Sequence, residues 1–122
     1  MHAFSDTLND LLGRVAGARA ATLMGYDGVE IANVIAAEES LEGDAAALLV
    51  EFSAILQKLK GSTARLGTGE LQELVLVSDQ LALLVRPVGA EHFAALLAEP
   101  ATNLGLARFA LRATTAKLES AL

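Results

Sequence analysis

The spacing of apolar and polar positions along the chain predicts three amphipathic helices. Ser5 can cap the first helix, whose apolar stripe consists of Leu8, Leu11, Leu12 and Val15. The second is expected to begin at an N-cap, Asp44, and to run to about Lys60, where Gly61 ends it. Its predicted core stripe contains Ala45, Leu48, Leu49, Phe52, Ile55, Leu56 and Leu59. Asn103 can cap the third helix, whose predicted inward stripe contains Leu104, Ala107, Leu111, Thr114, Leu118 and Leu122.

Shorter apolar runs predict five strands. Two of them lie between Ala20 and Val34, and Asp27-Gly28 suits the hairpin turn between them because glycine tolerates a positive φ. The short separations between the other three runs favour antiparallel hairpins. Those runs are Leu71–Ser78, Leu81–Val88 and His92–Ala98. The segment from Leu74 to Val77 is apolar at every position, so we expect both of its faces to be buried.

The predicted order of elements is α-β-β-α-β-β-β-α, without an internal repeat or a linker. An acidic connection from Ala36 to Gly43, containing Glu38, Glu39 and Glu42, leads into the second helix. Five mostly antiparallel strands with helices on both faces of the sheet form a natural α+β assembly. The length of 122 residues suits one domain covering residues 1–122.

The composition argues against several classes of protein function. The net charge is −6 and the nine Lys and Arg residues are scattered, which argues against nucleic-acid binding. The chain has no cysteine, which excludes disulfides and thiolate chemistry and fits a cytoplasmic location. The N-terminal stretch is not typical of a signal peptide, and no apolar run approaches the ~20 residues of a membrane span. A hydrophobic content of 53% indicates a sheet covered on both faces or a surface for self-association.

No motif indicates a catalytic, cofactor or metal site. The glycines between Gly61 and Gly69 lack the order of a phosphate-binding loop, and Gly25-Tyr26-Asp27-Gly28 lacks the third glycine of a dinucleotide fingerprint. The two histidines, His2 and His92, stand far apart in the chain and do not make a metal site. We therefore predict that the protein is not an enzyme, with no catalytic residues, cofactor or metal.

The second helix carries a further stripe of small or apolar residues outside its core stripe. This stripe contains Ala46, Ala47, Val50 and Ala54. Alanine is a good helix former, which is one explanation of the stripe; a helix-to-helix contact between chains is the other. Polar residues that would form the rim of such a contact are Glu51, Gln57 and Lys58. Arg108 and Arg112 on the last helix are expected on a solvated face.

Four short motifs lie in residues 8–32 and 70–112: a turn after the first helix, the hairpin DG, a VRPVG strand exit and an NLGL helix start. They are Ala16-Gly17-Ala18, Asp27-Gly28, Val85-Arg86-Pro87-Val88-Gly89 and Asn103-Leu104-Gly105-Leu106. Through these two segments and the order of elements between them, nearly the whole chain resembles the Roadblock/dynein light-chain family, especially its bacterial and archaeal MglB-like members. The chain departs from the family pattern in having Val15-Ala16-Gly17 where a proline is usual.

This resemblance implies a longin/profilin-like fold without catalytic residues. It also implies a homodimer in which the second helices lie side by side and the third strands pair. The paired helices would form a platform for a small Ras-like GTPase, whose nucleotide cycle or localisation the protein would regulate. We expect Ala47, Val50, Glu51, Ala54, Gln57 and Lys58 to carry the dimer and this platform.

Two alternatives to a GTPase regulator stay open from the sequence. The first is a dimeric scaffold that tethers motor, signalling or polarity components without a GTPase. The second is a ligand-sensing domain, which would need a pocket lined by polar groups, although the sequence offers few inward polar residues.

Overall fold

The computed structural model describes residues 3–36 and 42–122, and within the second helix it describes side chains from Ala47 onward. The elements follow the predicted order. They are α1 (Ala3–Arg14), β1 (Ala18–Gly25), β2 (Glu30–Ile35), α2 (Glu42–Arg65), β3 (Leu74–Val77), β4 (Ala82–Val88), β5 (His92–Ala98) and α3 (Leu104–Ala121).

The five strands form one antiparallel sheet in the order β2-β1-β5-β4-β3. The predicted fold class, a five-stranded sheet with helices on both faces, is confirmed. The predicted turn at Asp27-Gly28 joins β1 to β2, and Gly28 has a φ of +86°, which a side chain would strain. Strand β5 lies at the centre, whereas β2 and β3 are the two edges.

Helices α1 and α3 cover one face of the sheet. Leu8 and Leu11 of α1 and Leu111 of α3 are completely buried there, against Leu84 and Leu96 of the central strands. Asn103 caps α3 as predicted, because its side-chain oxygen accepts a 3.1 Å hydrogen bond from the Leu106 amide. The predicted apolar stripe of α3 faces the sheet as well, except for Leu122, which lies beyond the helix and is exposed.

Helix α2 covers the opposite face. Leu49, Phe52 and Leu56 are buried apolar residues of this helix, and they pack in a cluster that includes Leu83 and Phe93. Two residues assigned to this stripe from the sequence, Ile55 and Leu59, are exposed instead. The sheet contacts a narrower strip of α2 than its apolar residues occupy, so the outer members of the stripe stay in solvent.

The predicted helix starts differ from the structure. Helix α1 begins at Ala3, so Ser5 lies inside it and is not its N-cap. Helix α2 begins at Glu42, so Asp44 is not the N-cap either. Helix starts are weakly encoded because capping residues are also tolerated in the first turn. The rest of the acidic connection, including Glu38 and Glu39, lies in 37–41, outside the described residues.

The predicted end of α2 is wrong as well. The helix continues through Gly61 to Arg65, and a Cβ placed on Gly61 would meet no atom within 4 Å. The Lys60 ammonium donates a hydrogen bond to the Ala90 carbonyl, which holds this part of the helix to the β4–β5 turn. Tertiary contacts of this kind outweigh the cost of about 1 kcal/mol for a glycine inside a helix.

Strand β3 is shorter than predicted, and it is an edge strand. Among the described strands it pairs with β4 alone, and Leu76 and Val77 are 44% and 52% exposed. The expectation that both faces of Leu74–Val77 are buried is therefore wrong for these two residues. No helix of the described chain extends far enough to cover the outer part of this strand.

Candidate interaction surface

The six residues predicted to bind a partner lie on one exposed surface of α2, which we call the α2 outer face. It consists of Ala47, Val50, Glu51, Ala54, Gln57 and Lys58, and all six are exposed. At about 100° per residue, these positions span about a third of the helix circumference. The structure therefore brings the predicted residues together on the side turned away from the sheet. The side chain of Ala46, from the same stripe, lies outside the described ones.

One border of the α2 outer face adjoins the β1–β2 turn. A Cβ on Gly28 would lie 3.6 Å from both Val50 Cγ1 and Ser53 Oγ, so the turn and the helix are in close contact. Gln57, two turns further along, borders a cavity together with Asp27 and Val29 of the same hairpin. This side of α2 is therefore partly occupied by the chain itself.

Ile55 and Leu59 project from the other side of the helix. Ile55 is five positions after Val50, which places it about 140° away around the axis. Its side chain is 50% exposed, and Leu59, one turn later, is 36% exposed. Large aliphatic residues are usually buried in a domain of this kind, so these two neighbouring exposed residues form a candidate contact surface.

The exposed part of β3 lies in the same layer as α2. Leu74 packs on the α2-side cluster, and Leu76, two residues on, points to the same face of the sheet. Leu76 is nevertheless largely exposed. The free edge of β3 also presents unpaired backbone groups, which makes it a template for another strand. Sequence reasoning missed Ile55, Leu59 and Leu76 as surface residues because apolar periodicity does not reveal where the sheet ends.

An ion-pair cluster holds the segment that leads into β3. Arg108 Nε donates a 2.8 Å hydrogen bond to Glu73 Oε2, and Arg86 Nη1 lies 3.6 Å from Glu73 Oε1. The hydrogen bond from Arg108 lowers the pKa of Glu73 from its ordinary value, against the opposing effect of burial. Arg108 is therefore not merely part of a solvated face, as its spacing suggested, because its guanidinium fixes the approach to β3.

The described residues contain no group of three or more His, Cys, Asp or Glu side chains that could hold a metal ion. His92 is half-buried at the start of β5; His2 lies outside the described residues. In the described part of the chain, no helix is both long enough and apolar enough to cross a membrane.

No protein-family model matches the chain, and no curated protein matches it either. Solved structures do match. The gliding protein MglB from Thermus thermophilus has a TM-score of 0.87 at 18% identity, over 98% of this chain and 87% of that one. A Roadblock/LC7 domain from Streptomyces avermitilis has a TM-score of 0.79 at 18% identity, over 93% and 92%.

MglC from Myxococcus xanthus is similar at 28% identity with a TM-score of 0.70, over 98% of this chain and 99% of that one. All three alignments cover nearly the whole chain, so the likeness concerns the complete architecture. The chain therefore has the fold shared by MglB, MglC and Roadblock/LC7 domain proteins, as its sequence motifs predicted.

Proposed function

We propose that this protein is a non-enzymatic, homodimeric regulator that binds a small Ras-like GTPase through its paired α2 helices and modulates the nucleotide cycle or localisation of that GTPase. The observation that carries the proposal is the exposed surface of α2, where small and apolar residues occupy positions at which a solvated helix would carry charges. The resemblance of the sequence to the Roadblock family implies that the α2 helices of two copies lie side by side.

The dimer is proposed to form on the side of α2 that carries Ile55 and Leu59, together with the free edge of β3. A twofold axis beside β3 would place two identical edges next to each other, so that each strand supplies donors and acceptors to the other. Leu76 and Ile55 would lose their exposure to water in the same contact. Burial of such side chains is favourable by about 25 cal/mol per Å² of apolar surface.

The α2 outer face, with Val50 at its border next to the β1–β2 turn, is proposed to carry the platform. Three of its six residues, Ala47, Val50 and Ala54, are short, which allows another protein to approach the helix backbone closely there. Glu51 and Lys58 provide charges of both signs at the rim, and such rim charges mainly influence partner choice and association rate. The platform needs no catalytic group of its own to change the conformation of a bound GTPase.

The test is capture of a GTPase by the tagged, full-length protein from a lysate of its own source, with GDP or a non-hydrolysable GTP analogue added. Retention of a Ras-like GTPase that depends on the nucleotide supports the proposal, and purified components then allow GTP hydrolysis to be measured. Retention of other proteins regardless of nucleotide, without a GTPase, would overturn it in favour of the scaffold.

A matched variant controls for nonspecific capture. Ala54→Glu places a charge at the centre of the α2 outer face without removing a core contact, so it should abolish retention of the GTPase. Ala116→Glu makes the same change on the exposed surface of α3 and should leave retention unchanged. Equal losses in both variants would contradict the assignment of the platform to α2.

A further inference from the structure

A cavity of about 670 Å³ lies between the second half of α2 and two turns at one end of the sheet. The turns join β1 to β2 and β4 to β5. They are fixed to each other because the Tyr26 amide donates a 3.1 Å hydrogen bond to the Glu91 carbonyl. The cavity is therefore bounded by a rigid rim on one side and by a helix on the other.

One end of the cavity is formed by Tyr26 and Lys60. Tyr26 is only 9% exposed, and its hydroxyl is enclosed by the protein rather than open to the cavity. The Lys60 ammonium lies 4.5 Å from the centroid of the Tyr26 ring and donates to the Ala90 carbonyl. An ammonium has three N–H donors, so Lys60 retains capacity beyond that bond.

Burial raises the pKa of the Tyr26 phenol, so its O–H group stays protonated at neutral pH. The Lys60 ammonium beside the Tyr26 ring favours an acceptor with negative charge, such as a carboxylate.

The rim and wall have different chemistry. The exposed carboxylates of Asp27 and Glu91 border the opening and favour a positively charged group. Val29 and Ile31 present exposed aliphatic surface to the cavity. Gly61 faces the same space, where a Cβ would meet nothing within 4 Å. The missing side chain at this helical position keeps the cavity wide.

We propose that this cavity binds a small zwitterion of the amino-acid class, with its carboxylate on the Lys60 ammonium next to the Tyr26 ring. Its own ammonium would face Asp27 and Glu91, and its aliphatic side chain would lie on Val29 and Ile31. The ligand carboxylate would accept hydrogen bonds from the N–H groups of the Lys60 ammonium that do not bond to the Ala90 carbonyl. This inference concerns the isolated protein and does not depend on a GTPase.

The chain provides its own probe, because Tyr26 is its single tyrosine and it has no tryptophan. Intrinsic tyrosine fluorescence therefore reports on this cavity alone. Titration with L-leucine should give a saturable change. Isocaproate, which lacks the ammonium, and isoamylamine, which lacks the carboxylate, should each bind at least about tenfold more weakly. Absence of a saturable change up to about 10 mM L-leucine overturns the proposal.

Variants separate binding from folding. Gly61→Leu fills the cavity but favours the helix, so it should abolish the L-leucine response without loss of stability. Lys60→Met removes the ammonium and should weaken binding at least about tenfold, whereas Lys58→Met, on the exposed surface of the same helix, should bind like the original protein. An unchanged response in Gly61→Leu would show that the fluorescence change arises elsewhere and would refute the site.

Discussion

Arg108 and Glu73 connect α3 to the segment that leads into the edge strand β3, through a 2.8 Å hydrogen bond from Nε to Oε2. Arg108 Nη2 lies 2.7 Å from the same carboxylate oxygen. Arg86 of β4 approaches the other oxygen, so a single carboxylate joins a helix, a strand and a loop. These contacts hold the segment before β3 from the face of the sheet opposite α2. The proposed dimer requires β3 to stay in this position.

This arrangement predicts a specific acid sensitivity. The pKa of Glu73 is lowered in the folded protein, so its stabilising effect is fully present above the pKa of the unfolded chain. That effect is lost as the pH falls through the folded-state pKa, because the carboxylate must then be protonated. Glu73→Gln should therefore be less stable at neutral pH and should lose less stability than the original protein on acidification.

Chemical denaturation over a series of pH values measures this difference. Glu119→Gln is the control, since the Glu119 side chain is exposed on α3 and makes no ion pair with the described residues. The control should follow the original protein at every pH. Parallel pH profiles for Glu73→Gln and the original protein would contradict the role given to the Glu73 carboxylate.

Helix α2 provides a second prediction, because Gly61 lies in its interior rather than at its end. Gly61→Ala should raise the free energy of unfolding by about 1 kcal/mol, since alanine favours a helix and the added Cβ meets no neighbour. Gly28→Ala should lower it, because Gly28 has a φ of +86°. Equilibrium denaturation gives both values. A destabilised Gly61→Ala protein would indicate that α2 ends at Gly61 after all.

Gly61 also illustrates how far the sequence determines this fold. The order of elements and the stripes of α1 and α3 follow from local periodicity, because both helices pack along their length on a wide sheet. A glycine after Lys58 and Lys60 has the local signature of a helix end, but the contact of Lys60 with the Ala90 carbonyl continues the helix. That contact joins residues 30 positions apart and has no local signal.

The candidate surface was predictable only in part. The exposed stripe containing Val50 and Ala54 was identified correctly, because residues outside a core stripe must face away from the sheet. Ile55 and Leu59 were misassigned, since their exposure depends on how much of α2 the sheet covers. Leu76 was misassigned for a related reason: the strand order makes β3 an edge, and strand order is a property of the whole chain.

The exposed aliphatic residues of α2 predict a dimer contact. Ile55→Asp should raise the dimer dissociation constant by at least about tenfold, because a charge placed in an apolar contact loses its hydration without gaining a partner. Leu106→Asp is the matched control, since Leu106 is 44% exposed on α3 and lies outside the proposed contact. Sedimentation velocity at several concentrations measures both. A monomeric original protein would refute the homodimer, and an unaffected Ile55→Asp dimer would exclude Ile55 from the contact.

Val50, which the sequence assigns to the dimer, lies about 140° around α2 from Ile55, so it tests a dimer contact across the α2 outer face. In that arrangement Val50→Asp weakens the dimer, because it would bury an uncompensated charge. The neighbouring change Glu51→Gln removes a rim charge and should alter the dissociation constant little. A Val50→Asp protein that remains a dimer at micromolar concentration would remove Val50 from the contact.

The β3 edge permits a test of strand pairing between two copies. The Ser78 amide donates to the Leu81 carbonyl across the β3–β4 hairpin at 2.8 Å. Along an antiparallel edge strand, successive amides point alternately to the neighbouring strand and away from it. The Leu76 amide therefore points to β4, like that of Ser78, and the Val77 amide points away from the sheet. Val77→Pro removes an outward donor without breaking the β3–β4 ladder, and proline is tolerated at an edge.

We therefore expect Val77→Pro to remain folded by circular dichroism but to lose dimerisation in sedimentation velocity. Leu76→Pro should instead lower the thermal unfolding midpoint, because it removes a donor within the sheet. This contrast depends on which edge of β3 each amide faces, so a general effect of proline cannot produce it. A Val77→Pro protein that dimerises as strongly as the original would show that the two copies do not join through this edge.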